Sequence, residues 1–165
     1  MEDTLPEAPP EMHQLDWFLG RWDVISRSKD AAGDSVEESM GTNHSLILGG
    51  HAILEHFRGP LMGQPFEAWS LRKYNPVGER WEQRWVDTTP GGFADWTGSW
   101  DESSRRFIGN PNRVLAADGT LATAAVREVF FEIEDDRFSW KYETTEDGGT
   151  IWAPSWELEY RRSSA

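Results

Sequence analysis

From about Trp17 onward the chain is built of short runs in which apolar and polar residues alternate, the period of a half-buried β-strand. The pattern is clearest near the end. Phe138, Trp140 and Tyr142 alternate with Ser139, Lys141 and Glu143, and Trp152, Trp156, Leu158 and Tyr160 share a face opposite Glu157, Glu159 and Arg161. In the run 80–88, Trp81, Gln83, Trp85 and Asp87 lie on one face and Arg80, Glu82 and Arg84 on the other. Charged residues face water, so the aromatic faces point inward.

Turn signals divide these runs into about ten strands: 17–27, 36–48, 51–58, 66–74, 80–88, 93–100, 105–109, 120–133, 137–145 and 150–162. Gly49-Gly50, Asn75-Pro76-Val77-Gly78, Pro90-Gly91-Gly92 and Asp147-Gly148-Gly149 are among the separators. Evenly spaced strands with short connections predict an all-β fold, a single up-and-down antiparallel β-barrel whose closure removes exposed edges. A two-sheet sandwich is the competing architecture. The Trp-Asp dipeptides recur at irregular spacing, which excludes a propeller. Residues 1–12 are acidic and proline-rich and read as a disordered tail. Residues 13–162 form the barrel domain, entered through one short helical turn at His13–Leu19.

Composition narrows the picture. Sixteen basic against 29 acidic residues leave a net charge of −13, which argues against nucleic acid and anionic membranes as partners. No apolar run approaches the ~20 residues of a membrane helix. The N-terminus lacks the basic and apolar regions of a secretory signal, so a cytoplasmic protein is expected. Ten tryptophans among 165 residues are more than packing alone requires and point to a wide, aromatic-lined interior.

Candidate chemistry follows from the inward faces. Gln83 and Asp87 share theirs with aromatic residues, and buried polar groups must be paired or await a ligand. If Gly49-Gly50 is a two-residue hairpin turn, His44 lies directly opposite Glu55 on the inward side. A carboxylate beside an imidazole is an acid–base pair, although such contacts are often purely structural. A one-residue change in that turn would move His44 to the other face. If Asn75–Gly78 is a four-residue turn, Arg72 sits opposite Trp81 and points inward, placed to hold a ligand carboxylate. His44, His51 and Glu55 lack the spacing of a metal site, and no metal or cofactor is expected. Neither a Gly-x-Ser-x-Gly elbow nor a phosphate-binding glycine loop is present.

The run Leu15-Asp16-Trp17-Phe18-Leu19-Gly20-Arg21-Trp22-Asp23-Val24 resembles the opening strand of calycin-type barrels. Leu48-Gly49-Gly50-His51, Gly63-Gln64-Pro65-Phe66-Glu67, Tyr74-Asn75 and Trp85-Val86-Asp87 follow in an order similar to a family of bacterial lipocalin-like domains of unknown function. That family is distantly similar to nitrobindin and to fatty-acid-binding barrels. The resemblance spans roughly residues 13–160 and implies the fold, with no common reaction attached. Nitrobindin-like barrels hold haem through a histidine on a late strand. This chain has no histidine after His56, so haem is not expected.

The expected function is binding of a small, mostly apolar or aromatic molecule in the lumen. Trp85, Trp140, Tyr142, Trp152 and Trp156 would form the walls, and Arg72, Gln83, Asp87, His44 and Glu55 the polar contacts. The alternative is an enzyme on the same barrel, with His44 and Glu55 moving protons in an isomerisation, cyclisation or hydrolysis. A third possibility is a barrel filled by its own side chains.

Overall fold

Alternation at period two cannot bury a single flat sheet on both faces, and the chain solves this by curling the sheet shut. The computed structural model describes residues 6–164 except 31, 33, 62 and 114–118. It is a closed antiparallel barrel of ten strands, each hydrogen-bonded to its sequence neighbours and the last to the first. The strands are β1 (Gly20–Lys29), β2 (Ser35–Leu48), β3 (Ala52–Leu61), β4 (Gln64–Asn75), β5 (Arg80–Asp87), β6 (Ala94–Asp101), β7 (Arg106–Gly109), β8 (Ala125–Phe131), β9 (Arg137–Thr145) and β10 (Ala153–Arg162). The sandwich alternative is thereby excluded. Among the described residues no helix is long and apolar enough to cross a membrane.

One end of the barrel is stoppered by the chain's own N-terminal segment. A 3₁₀ helix over Pro10–Phe18, kinked at Leu15, turns Met12, Leu15 and Phe18 inward, all 3% exposed or less. It starts at Pro10, so residues 10–12 are structured where a disordered tail is expected, because Met12 has apolar surface to bury. Residues 1–5 of that expected tail lie outside the described residues. The first strand begins at Gly20, three residues later than the alternation suggests. The helix ends at Phe18, and Gly20 takes φ +116°, a conformation open to glycine, to turn into β1.

The stopper is fastened by rings and by indole hydrogen bonds. Phe18 packs against Phe130 at 5.5 Å and Phe138 at 5.7 Å between ring centroids. Trp22 Nε1 donates to the Phe18 carbonyl at 3.0 Å, and Trp81 Nε1 to the Gln14 side-chain oxygen at 3.0 Å. Trp22, Trp81 and Phe138 are essentially buried, and these indoles are floor rather than wall.

Two registers differ from expectation and reassign faces. Between β2 and β3, Leu48 pairs with Ala52, so the loop has three residues, Gly49, Gly50 and His51. With one more residue in the loop, His44 pairs with His56 and Glu55 with Ser45. A one-residue slip exchanges the two faces of the strand. Leu46 and Leu48 are consequently exposed on the outside, whereas Asn43 and Ser45 point inward. Between β4 and β5, Arg72 pairs with Gln83 rather than Trp81. That shift is two residues, an even number, so Arg72 keeps its inward orientation.

A third irregularity lies at the start of β10. Pro154 pairs with Glu143 but Trp156 with Tyr142, which leaves Ser155 as an extra residue in a bulge. The bulge moves Trp152 off the face it would otherwise share with Trp156.

Candidate functional site

The interior is layered. Above the aromatic floor lies a polar layer on Arg72. Its Nη1 donates to Glu55 Oε2 at 2.6 Å, its Nε to Gln83 Oε1 at 2.8 Å, and its Nη2 approaches Glu128 Oε2 at 3.5 Å. Arg72, Glu55, Gln83 and Glu128 are each 6% exposed or less. Arg72 also lies over the Phe18 ring at 4.8 Å and the Phe130 ring at 5.3 Å, so its guanidinium rests on the floor below. Burial lowers its pKa, but the Glu55 and Glu128 carboxylates outweigh this and leave it raised. Arg72 is therefore permanently charged, and each of its three nitrogens has a protein partner. This removes the carboxylate-holding role expected for Arg72, whose position suits bracing Gln83 and Glu128 from beneath.

Glu55 belongs to this layer too. Asn43 Nδ2 donates to its Oε1 at 2.8 Å, and Ser70 Oγ to its Oε2 at 2.6 Å, in addition to Arg72. His44 is on the other side of the sheet, half-buried on the outer surface and paired with His56. The expected His44–Glu55 pair is not assembled, because the three-residue loop sends the two side chains to opposite faces. Nor do the described residues contain any cluster of three or more His, Asp or Glu arranged to hold a metal ion.

Above the polar layer the lumen is hollow. A cavity of about 310 Å³ lies among Leu61, Phe66, Gln83, Trp85, Asp87, Thr89, Ala94, Trp96, Glu128, Trp140, Tyr142 and Trp156. These residues come from the strand ends remote from the stopper, and from the middle of β8 and β9. Of the residues expected to line it, Gln83, Trp85, Asp87, Trp140, Tyr142 and Trp156 do so. Trp152 does not. It stacks on the Arg127 guanidinium at 4.1 Å and donates its indole N–H to the Gly149 carbonyl at 3.1 Å. The extra residue at Ser155 puts it on the outer face.

The walls are fixed by edge-to-face contacts. Trp140 meets Trp156 at 5.1 Å with the planes 86° apart, and Trp96 meets Tyr142 at 5.9 Å and 75°. Trp156 Nε1 donates to Ser26 Oγ at 2.8 Å and Trp85 Nε1 to Asp87 Oδ2 at 2.8 Å. These two indoles thus have their polar atoms tied to the protein, which leaves their faces to a guest. Burial and the nearby Glu128 carboxylate push the Tyr142 phenol up to about 12, so it stays a neutral hydroxyl at physiological pH.

Leu61, Phe66, Thr89, Ala94, Trp96 and Glu128 line the cavity without having been singled out in the sequence, and Trp96 and Glu128 matter most for its chemistry. Trp96 sits in a strand where Ala94, Trp96, Gly98 and Trp100 alternate with Asp95, Thr97, Ser99 and Asp101, so the inward-face reading that found Trp85 also carries the signal for it. Glu128 lies in Ala125–Phe131, where apolar residues occupy both faces, Val126 and Phe130 inside and Val129 and Phe131 outside. Its only signal is an acidic residue flanked two positions either side by inward apolar ones. Trp140 Nε1 donates to Glu128 Oε2 at 3.1 Å. Burial raises the Glu128 pKa, with Arg72 and the Trp140 N–H pulling partly the other way.

A larger concavity of about 780 Å³ runs along β8–β10. Its charges largely satisfy one another, Arg27 with Glu159 at 3.4 Å and Arg137 with Glu134 at 2.6 Å. The lumen is the better candidate.

The molecule is thus a closed ten-stranded barrel, plugged at one end and hollow at the other. In sequence the chain matches the family described as Protein of unknown function (DUF1579) over residues 7–162, and it belongs to that family. No curated protein matches it in sequence. In structure it is similar to Rv2717c from M. tuberculosis, with TM-score 0.65 and 14% identity, covering 96% of this chain and 100% of that one. It is also similar to the S-type phycobiliprotein lyase CPES from Guillardia theta, with TM-score 0.57 and 11% identity, covering 93% and 92%. At these identities the likeness is one of fold.

Proposed function

We propose that the protein binds a small, flat, mostly apolar or aromatic molecule in the barrel lumen, in the manner of a calycin-type carrier. The observation that carries this reading is the cavity of about 310 Å³ walled by Trp85, Trp96, Trp140, Tyr142 and Trp156. Its volume falls at the lower end of the roughly 300–1,000 Å³ typical of ligand pockets. A barrel meant only to pack would fill this space with its own side chains. Polar atoms are few and convergent, Gln83, Asp87 and Glu128 together with the Tyr142 hydroxyl, which suits orientation of a largely apolar guest. The net charge of −13 disfavours nucleic acid as the partner.

N-phenyl-1-naphthylamine, a neutral fused-ring probe, is expected to quench tryptophan emission saturably while its own emission rises. Trp156→Ala is expected to weaken it about tenfold. An aromatic contact contributes about 0.5–1.5 kcal/mol beyond its buried area, and about 1.4 kcal/mol corresponds to a factor of ten. The half-buried position of Trp156 at the start of β10 lets the barrel tolerate that truncation. Absence of saturable binding to the parent protein would refute the reading.

A further inference from the structure

The buried charges of the lumen do not cancel. Arg72 contributes one positive charge, Glu55 and Glu128 two negative ones, and Asp87 adds a third carboxylate at the cavity. Glu55 is saturated by Asn43, Ser70 and Arg72. Glu128 is not. Its contacts from Trp140 and Arg72 both fall on Oε2, and among the described residues none donates to Oε1. Glu128 is 6% exposed and borders the cavity, so the little surface it keeps is presented to a guest. At the same cavity, Asp87 receives the Trp85 indole N–H, and Thr89 donates to it through its backbone N–H at 2.8 Å and through its hydroxyl.

Resting on the lumen-binding reading, we infer that the guest is an aromatic or heteroaromatic cation bearing an N–H donor, held by Glu128 and enclosed by the indoles. The class includes protonated aminoheterocycles and aryl amidines. Three features select it. An N–H directed at Glu128 Oε1 completes an otherwise half-satisfied carboxylate and keeps it ionised inside the barrel. The faces of Trp85, Trp96, Trp140 and Trp156 carry the negative π-density that attracts a delocalised cation. An anionic guest, by contrast, would face Glu128 and Asp87, and the lone guanidinium that could offset them is engaged by Glu55, Gln83 and Glu128 below the cavity. The fatty-acid mode, in which an arginine grips a carboxylate, is therefore disfavoured in this barrel.

The test compares two bicyclic probes of similar size by tryptophan quenching, 4-aminoquinoline (cationic at neutral pH) and 1-naphthoate (anionic). The parent protein is expected to prefer the cation by about tenfold or more, a charged hydrogen bond's worth of discrimination. Glu128→Gln keeps an acceptor for the Trp140 N–H and removes one charge of the −13. It is expected to shrink the preference to about threefold or less. A wild-type measurement at about 1 M NaCl, where the screening length falls to about 3 Å, is independent of how well that variant folds. A contact inside the barrel keeps the preference there, and attraction by the protein's overall negative charge loses it. Equal or tighter binding of 1-naphthoate, or a preference that salt abolishes, would overturn the inference and leave the lumen reading standing. If N-phenyl-1-naphthylamine and both charged probes all fail to bind, it is the lumen reading that falls.

Discussion

Replacing Arg72 by methionine is expected to destabilise the barrel by about 3–5 kcal/mol, the usual consequence of removing one partner from a buried ionic cluster. Arg72 is 2% exposed, and loss of its guanidinium strands Glu55, Gln83 and Glu128 together in the centre of the lumen. Most of the effect is the isolation of the carboxylates rather than the loss of the arginine's own contacts. Arg72→Met combined with Glu55→Gln and Glu128→Gln should therefore recover most of the lost stability. The deficit of the single variant should also shrink on acidification. Glu128 already has a raised pKa in the parent protein, chiefly from burial, and without Arg72 it rises further. A carboxyl whose folded pKa exceeds its unfolded value of about 4.3 opposes folding increasingly as pH climbs above that value, and imposes no penalty below it. Urea unfolding at pH 7 and near pH 4 measures both effects. A loss under about 1 kcal/mol at pH 7 would mean that the polar layer contributes little to the fold.

Phe18→Ala should cost a similar amount, about 3–5 kcal/mol, by leaving a hole where an aromatic ring was. Phe18 is 1% exposed and touches Trp17, Phe130 and Phe138, with Arg72 on its face. The hole opens beneath the guanidinium, so the cost includes the contact that seats Arg72. Val77→Ala, at a turn residue that is 94% exposed, should by comparison stay within about 0.5 kcal/mol. Equal midpoints for the two variants would show that the N-terminal segment rests on the barrel without contributing to its stability.

The architecture was legible because the signal for it is redundant. Ten alternating runs with glycine-, proline- and aspartate-rich breaks point to the same meander, and an error of a few residues at any strand end leaves the topology unchanged. Face assignment has no such redundancy. Gly49-Gly50 reads as a two-residue turn, yet His51 joins it in the loop, and that one residue separates His44 from Glu55. The Ser155 bulge does the same to Trp152. Arg72 escaped misplacement because its register error was even. The central polar layer was beyond reach for another reason. Arg72 and Gln83 are on neighbouring strands, but Glu128 is 56 residues from Arg72 and meets it across the lumen. Local alternation carries no information about residues that meet only when the sheet closes.

The most direct test of the central claim observes the indole N–H resonances of the ten tryptophans individually. In a titration of ¹⁵N-labelled protein with N-phenyl-1-naphthylamine, the signals of Trp85, Trp96, Trp140 and Trp156 should move together and saturate at one equivalent of probe. Those of Trp22 in the floor and Trp152 on the outer face should stay in place. Movement confined to outward residues such as Trp69 and Trp152, with the four wall indoles unaffected, would contradict the account.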